Sequence, residues 1–140
     1  MSNNSPSLLE KELSYKIQGI FIDISKEFGY LYKEKVYQNI LKEKFQEVKI
    51  FYQEFPNINI YNIRSGKFIG NYCPDFLIEH KIILEIKAQS QLFDTHINQL
   101  IRYLNSSKYE IGYLVNFGTP KAQIIRRVYS NVNKSFLFRQ

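Results

Sequence analysis

Residues 70–87 read Gly70-Asn71-Tyr72-Cys73-Pro74-Asp75-Phe76-Leu77-Ile78-Glu79-His80-Lys81-Ile82-Ile83-Leu84-Glu85-Ile86-Lys87. Two apolar runs, Phe76-Leu77-Ile78 and Ile82-Ile83-Leu84, flank Glu79-His80-Lys81. Their β-branched and aromatic content predicts strands over about 72–79 and 82–88, joined by a tight hairpin. Side chains two apart on a strand share a face. Glu85 and Lys87 therefore point one way, and Leu84, Ile86 and Ala88 the other. Pairing about the turn brings Asp75 next to Glu85.

Two carboxylates and an ammonium thus converge at one end of a hairpin with apolar surroundings. Charges so close to a buried sheet are costly unless they are paired or bound to metal. Hard carboxylate oxygens, with the backbone carbonyl of Ile86, suit Mg²⁺ or Mn²⁺. Mg²⁺ keeps several waters, so two protein carboxylates are enough to seat it. Such an ion neutralises charge on a phosphodiester and lowers the pKa of water, while the lysine can hold that water or take its proton. Singly, these signals are bland. Glu-x-Lys at a strand end is more often an exposed ion pair, and Asp after Pro more often turn chemistry.

Outward from this hairpin the chain reads as helices, then strands, then a helix and one last strand or strand pair. Leu9, Leu13, Ile17, Ile20, Ile24 and Phe28 form one helical stripe, stopped at Gly29. A second helix is expected over about 32–46, with Glu34 near its start as a further carboxylate candidate. Strands are expected at 47–55 and 58–64, and a turn at Ser65-Gly66-Lys67. A third helix over about 93–106 puts His96, Gln99 and Tyr103 on one face, where Gln99 and Tyr103 could bond a phosphate or orient the metal ligands. An apolar strand at 111–117 and a last strand or strand pair at 122–130 complete an α/β (α+β) domain around one mixed sheet. The expected organisation is a disordered leader at 1–7, one domain at 8–130 and a C-terminal tail at 131–140.

Composition narrows the function classes. The 140 residues fit one domain, and an apolar fraction of 44% excludes a fully disordered chain. The formal net charge of +6 suits a polyanionic partner. Lys121, Arg126, Arg127, Lys134 and Arg139 follow the last acidic residue, Glu110. Cys73 is the single cysteine, which excludes an intramolecular disulfide and a cysteine-ligated zinc or iron–sulfur centre within the chain. With no signal-peptide pattern and no long apolar run, a cytoplasmic location away from membranes is expected.

Three motifs stand in order. Gly70 to Asp75 resembles the GxxxPD motif of RecB-like nucleases. Glu85-Ile86-Lys87 matches the (D/E)XK element of the PD-(D/E)XK nuclease superfamily. Gln99-Leu100-Ile101-Arg102-Tyr103 matches the QxxxY motif of the same group. Over about residues 9–129 the chain is similar to the small bacterial GxxExxxR family, a branch of that superfamily. The similarity includes Leu13-Ser14-Tyr15-Lys16-Ile17-Gln18-Gly19, Glu34-Lys35-Val36-Tyr37, Asn116-Phe117-Gly118 and His96. The chain departs from the family at Leu31 and Gln38, where the namesake Gly and Arg would stand.

The resemblance implies a restriction-endonuclease-like core, a central mixed sheet flanked by helices. It implies a nuclease using Mg²⁺ or Mn²⁺, with Glu34, Asp75, Glu85 and the Ile86 carbonyl as metal ligands. Lys87 would serve the water, and Gln99 and Tyr103 would be accessory catalytic groups. His96, Arg102, Lys121, Arg126 and Arg127 are the candidate substrate contacts. Nucleic acid, with DNA as the expected polymer, is the partner. The competing reading is a non-catalytic nucleic-acid-binding module on the same fold; a homodimer or protein partner is left open.

Overall fold

The computed structural model describes residues 9–139. The leader expected at 1–7 lies outside them. Helix α1 spans Lys11–Phe28 and α2 Glu34–Glu47. Strands β1 (Tyr52–Glu54), β2 (Ile58–Tyr61), β3 (Phe68–Tyr72), β4 (Phe76–Ile78) and β5 (Ile82–Lys87) follow. Then come α3 (Asp94–Asn105), β6 (Ile111–Asn116), β7 (Gln123–Val128) and two short 3₁₀ turns, Asn131–Asn133 and Ser135–Arg139.

Five strands make a mixed sheet in the order β1-β4-β5-β6-β7, with β5 and β6 parallel and the other pairs antiparallel. Strands β2 and β3 form a separate antiparallel ribbon. One sheet face, carrying Phe76, Leu84, Ile86, Tyr113 and Val115, is buried under α1 and α2 through Ile17, Phe21, Ile24, Tyr37, Leu41 and Phe45. The other face, carrying Leu77, Ile83 and Leu114, is covered by Leu100 and Leu104 of α3 and by Ile58, Ile60 and Tyr72 of the ribbon. This is the helix-flanked mixed sheet expected of a restriction-endonuclease-like core.

The hairpin at 78–81 is as tight as expected, with Lys81 N–H donating to Ile78 O at 2.9 Å. Glu79 (φ 52°) and His80 (φ 58°) both take left-handed conformations within the three-residue connection between Ile78 and Ile82. Neither is glycine, so the turn costs about 1–2 kcal/mol per residue. Phe51 offsets that cost. Its N–H donates to Glu79 Oε2 at 2.7 Å, its carbonyl accepts from Glu79 N–H at 2.9 Å, and its ring stacks on His80 at 4.8 Å.

The structure departs from the sequence reading in several places. Helix α1 starts at Lys11 rather than near Leu9, because Glu10 is left-handed (φ 49°). The strand expected over 47–55 shrinks to Tyr52–Glu54, since α2 runs to Glu47 and Lys49 turns the chain with φ 59°. The strand expected over 72–79 is two. Pro74 lacks an N–H for the ladder and restricts Cys73, so the chain leaves the sheet there and Phe68–Tyr72 pairs with β2 instead. Residues 131–139, assigned from sequence to a tail, pack back on the domain with Lys134 and Phe136 buried.

Candidate active site

The register of β4 against β5 pairs Phe76 with Leu84, so Asp75 and Glu85 meet one step beyond the last ladder pair. They lie on the α3 face, because the alternation that buries Leu84 and Ile86 under α1 and α2 sends Glu85 and Lys87 the other way. The two carboxyl groups are locked into one network. Asp75 N–H donates to Glu85 Oε1 at 3.1 Å, and Ile86 N–H donates to Asp75 Oδ2 at 2.7 Å. Tyr72 O–H donates to Glu85 Oε2 at 2.7 Å.

Tyr72 was not singled out from sequence. Its ring stacks flat on Tyr103, with centroids 3.9 Å apart and planes 6° from parallel. The QxxxY tyrosine therefore reaches Glu85 through Tyr72. Two aromatic residues spaced for opposite faces of different elements gave no sequence signal; the contact exists because the ribbon lies across α3. Stacked pairs of this kind contribute about 0.5–1.5 kcal/mol beyond their burial.

Electrostatics follow from burial. Glu85 is pushed up to about 7, chiefly because burial disfavours its charged form; Asp75 adds to the rise and the Tyr72 hydrogen bond opposes it. Glu34, at the first turn of α2, is also raised, first by burial and then by the charge of Asp75, with Lys87 pulling it back. The charges of Asp75 and Lys87 are therefore felt at Glu34. Burial and the Glu85 carboxylate hold the Tyr72 hydroxyl in its neutral form far above the usual phenol range.

A buried carboxylate that resists ionisation, facing a second carboxylate, fits a hard cation, which removes the cost of both charges. Each carboxylate oxygen named above accepts one hydrogen bond, leaving lone pairs for a metal. Among the described residues no cluster of three or more His, Cys, Asp or Glu forms a ready-made cage. Two carboxylates leave coordination positions around a hard divalent cation for water.

The Asn116-Phe117-Gly118 stretch has a physical role here. Asn116 is fully buried and bridges the chain just after Lys87. Its Oδ1 accepts from Gln89 N–H at 2.9 Å and Gly118 N–H at 3.1 Å, and its Nδ2 donates to Gln89 O at 2.9 Å. A Cβ at Gly118 would lie 2.3 Å from the Gln89 backbone, so the approach requires glycine. Phe117 N–H donates to Lys87 O at 2.8 Å. Together these fix the end of β5 that carries Lys87.

The remaining candidates do not all gather. Gln99 is exposed on the same α3 face as Tyr103, one turn earlier. His96 Nδ1 accepts from Phe93 N–H at 3.4 Å, which closes the first turn of α3. Arg102 is exposed and lines a shallow groove with Ile63, Asn98 and Ser106. Lys121 sits in the turn after β6, beside Ser25 and Lys26 of α1. Arg126 is tied internally, with Nη2 donating to Leu9 O at 2.7 Å and Ser14 Oγ at 3.3 Å. Arg127 pairs in register with Gly112, at the end of the sheet away from Lys87, which pairs with Asn116. Lys121, Arg126 and Arg127 therefore form no common surface.

No helix among the described residues is long and apolar enough to cross a membrane. The family profile described as PD-(D/E)XK nuclease superfamily matches residues 11–128. No curated protein matches the sequence. Among solved structures, the chain is similar to an alkaline exonuclease (LHK-Exo) from Laribacter hongkongensis, at 11% identity and a TM-score of 0.49, with 75% of this chain and 61% of that chain covered. The chain thus spans less than two thirds of that exonuclease.

Proposed function

The chain belongs to the PD-(D/E)XK nuclease superfamily, and on that premise we propose that it is a cytoplasmic, divalent-metal-dependent nuclease of the GxxExxxR branch, hydrolysing phosphodiester bonds in DNA. The observation that carries this reading is the Asp75–Glu85 pair, held by backbone N–H groups and Tyr72, with Lys87 on the same face. Asp75, Glu85, Glu34 and the carbonyl of Ile86 would hold Mg²⁺ or Mn²⁺. When bound, the ion supplies charge neutralisation at the scissile phosphate and acidifies water.

The chain's own residues do the rest. Lys87, fixed by the Asn116 bridge, donates to the attacking water or to a phosphate oxygen and balances developing negative charge. Burial raises Glu85 to about 7, so its carboxylate gains the charge that holds a cation as pH rises through neutrality. Gln99, His96 and Arg102, on exposed or half-exposed positions of α3, would contact the substrate backbone. Asp75 and Glu85 lie on the same sheet face as α3 and the ribbon, so the nucleic acid would approach from that side.

The test is cleavage of labelled single- and double-stranded DNA and RNA with Mg²⁺ or Mn²⁺. Glu85→Gln and Lys87→Ala should each lower the rate by about 100-fold or more, the loss typical when one charge-stabilising group is removed. Cutting that survives both substitutions would overturn the site. Nucleic-acid binding with no cutting by the intact, metal-loaded protein would instead assign a binding module.

A further inference from the structure

The β2–β3 ribbon ends in a turn that carries positive charge and no acid. Between Glu54 and Asp75 the only charged residues are Arg64 and Lys67. Both side chains are exposed at the tip. The last 3₁₀ turn brings a third cation to them, since Arg139 Nη1 donates to the backbone carbonyl of Arg64 at 2.5 Å. Arg102 of α3 shares a groove with Ile63, the residue before Arg64. None of these four takes part in an ion pair among the described residues; the pairs formed are Lys42–Glu54, Lys44–Glu27 and Lys81–Glu10.

The tip is also rigid. Asn62 Oδ1 accepts from Arg64 N–H at 2.9 Å and Ser65 N–H at 3.2 Å, while Asn62 N–H donates to Lys67 O at 2.8 Å. Gly66 adopts φ 78°, and a Cβ there would lie 2.9 Å from the Phe136 carbonyl. The C-terminal turn therefore clamps the tip. Lys134 anchors that turn, with Nζ donating to Ser107 O at 2.9 Å and Tyr109 O at 2.6 Å. Like charges held together on a fixed scaffold, with no carboxylate paired to them among the described residues, raise the local potential, and an anion relieves it.

We propose that this ribbon tip is a second nucleic-acid contact, gripping the phosphate backbone away from the scissile bond. The ribbon joins the two places: Tyr72, at its base, holds Glu85, and Lys67 lies five residues along β3 from Tyr72. At ~3.3 Å per residue that separation is about 16 Å. With 3.4 Å of helix rise per base pair, the tip would touch a duplex roughly five base pairs from the site. The inference rests on the proposed nuclease reading, and it moves the substrate-gripping cations from the 121–127 segment to Arg64, Lys67, Arg102 and Arg139.

The test measures binding without cleavage, in Glu85→Gln protein without metal, to a labelled DNA duplex over a range of salt. Arg64→Gln/Lys67→Gln removes two exposed charges whose side chains make no hydrogen bond among the described residues. It should weaken binding about tenfold or more near 0.1 M salt and flatten the log–log salt slope by roughly two. Lys16→Gln/Lys49→Gln removes equal charge beside Glu10, Glu12 and Glu79 and should change neither by as much. Equal losses in the two double variants, or an unchanged slope in the ribbon variant, overturn the tip contact while leaving the nuclease reading intact. Failure of the parent protein to bind any nucleic acid overturns both. Loss of binding only to vesicles of anionic lipid, with DNA binding unchanged, would assign the tip to a membrane surface instead.

Discussion

Tyr72→Phe isolates one hydrogen bond at the heart of the site. It removes the O–H that donates to Glu85 Oε2 at 2.7 Å and keeps the ring that stacks on Tyr103. A hydrogen bond to a charged group contributes about 1.5–3 kcal/mol, and the Tyr72 bond favours the ionised form of Glu85 over the neutral one. Glu85 already titrates at about 7, because burial opposes its charge. Losing even about 1.4 kcal/mol of that support raises its pKa by about one unit. At pH 7 the ionised fraction then falls from about one half to about one tenth. Since a cation binds the carboxylate and competes with its proton, affinity for Mn²⁺ should rise with pH through about 7 in the parent protein. In Tyr72→Phe the rise should move about one unit more alkaline, with about fivefold weaker binding at pH 7. Calorimetric titration of Mn²⁺ at pH 6, 7 and 8, without substrate, reads this directly. Coincident pH profiles for the two proteins, or an affinity flat over that range, would refute the reasoning.

Two other perturbations probe how the fold supports the site. Asn116→Ala strips the partners from Gln89 N–H, Gln89 O and Gly118 N–H, at a cost of about 2–4 kcal/mol; thermal unfolding should fall by roughly 10 °C, and cleavage should drop further through misplacement of Lys87. Lys134 is lowered to about 8 by burial from an ordinary value of 10.5, so between those values the unfolded chain binds the extra proton. Stability should therefore rise as pH increases from about 8 to 10, and Lys134→Met should flatten that rise in denaturant titrations followed by circular dichroism.

The sequence by itself determined what is local. Apolar alternation over 82–87 decides which way Glu85 and Lys87 point, and a three-residue connection leaves one register, so Asp75 meets Glu85 without reference to the rest of the chain. Helical stripes ending at Gly29 and the polar row on α3 were legible for the same reason: a period needs only a few neighbours to show itself. The helix-flanked mixed sheet followed from their order. Tertiary structure alone decided what depends on contacts distant along the chain. Pro74 lies inside the strand expected over 72–79, and only packing against α3 shows that Phe68–Tyr72 turns away to form a ribbon. That move places Tyr72 between Tyr103 and Glu85. Glu34 joins Asp75 only because α2 packs on the opposite sheet face with its first turn at the sheet's end. Arg126 reads as a surface cation until Leu9 and Ser14, over a hundred residues earlier, engage its guanidinium. Arg64 and Arg139 stand 75 residues apart and meet through one carbonyl. Such pairings are set by the summed packing of whole elements, with many weak contacts outweighing any local preference, and no short stretch of residues carries that sum.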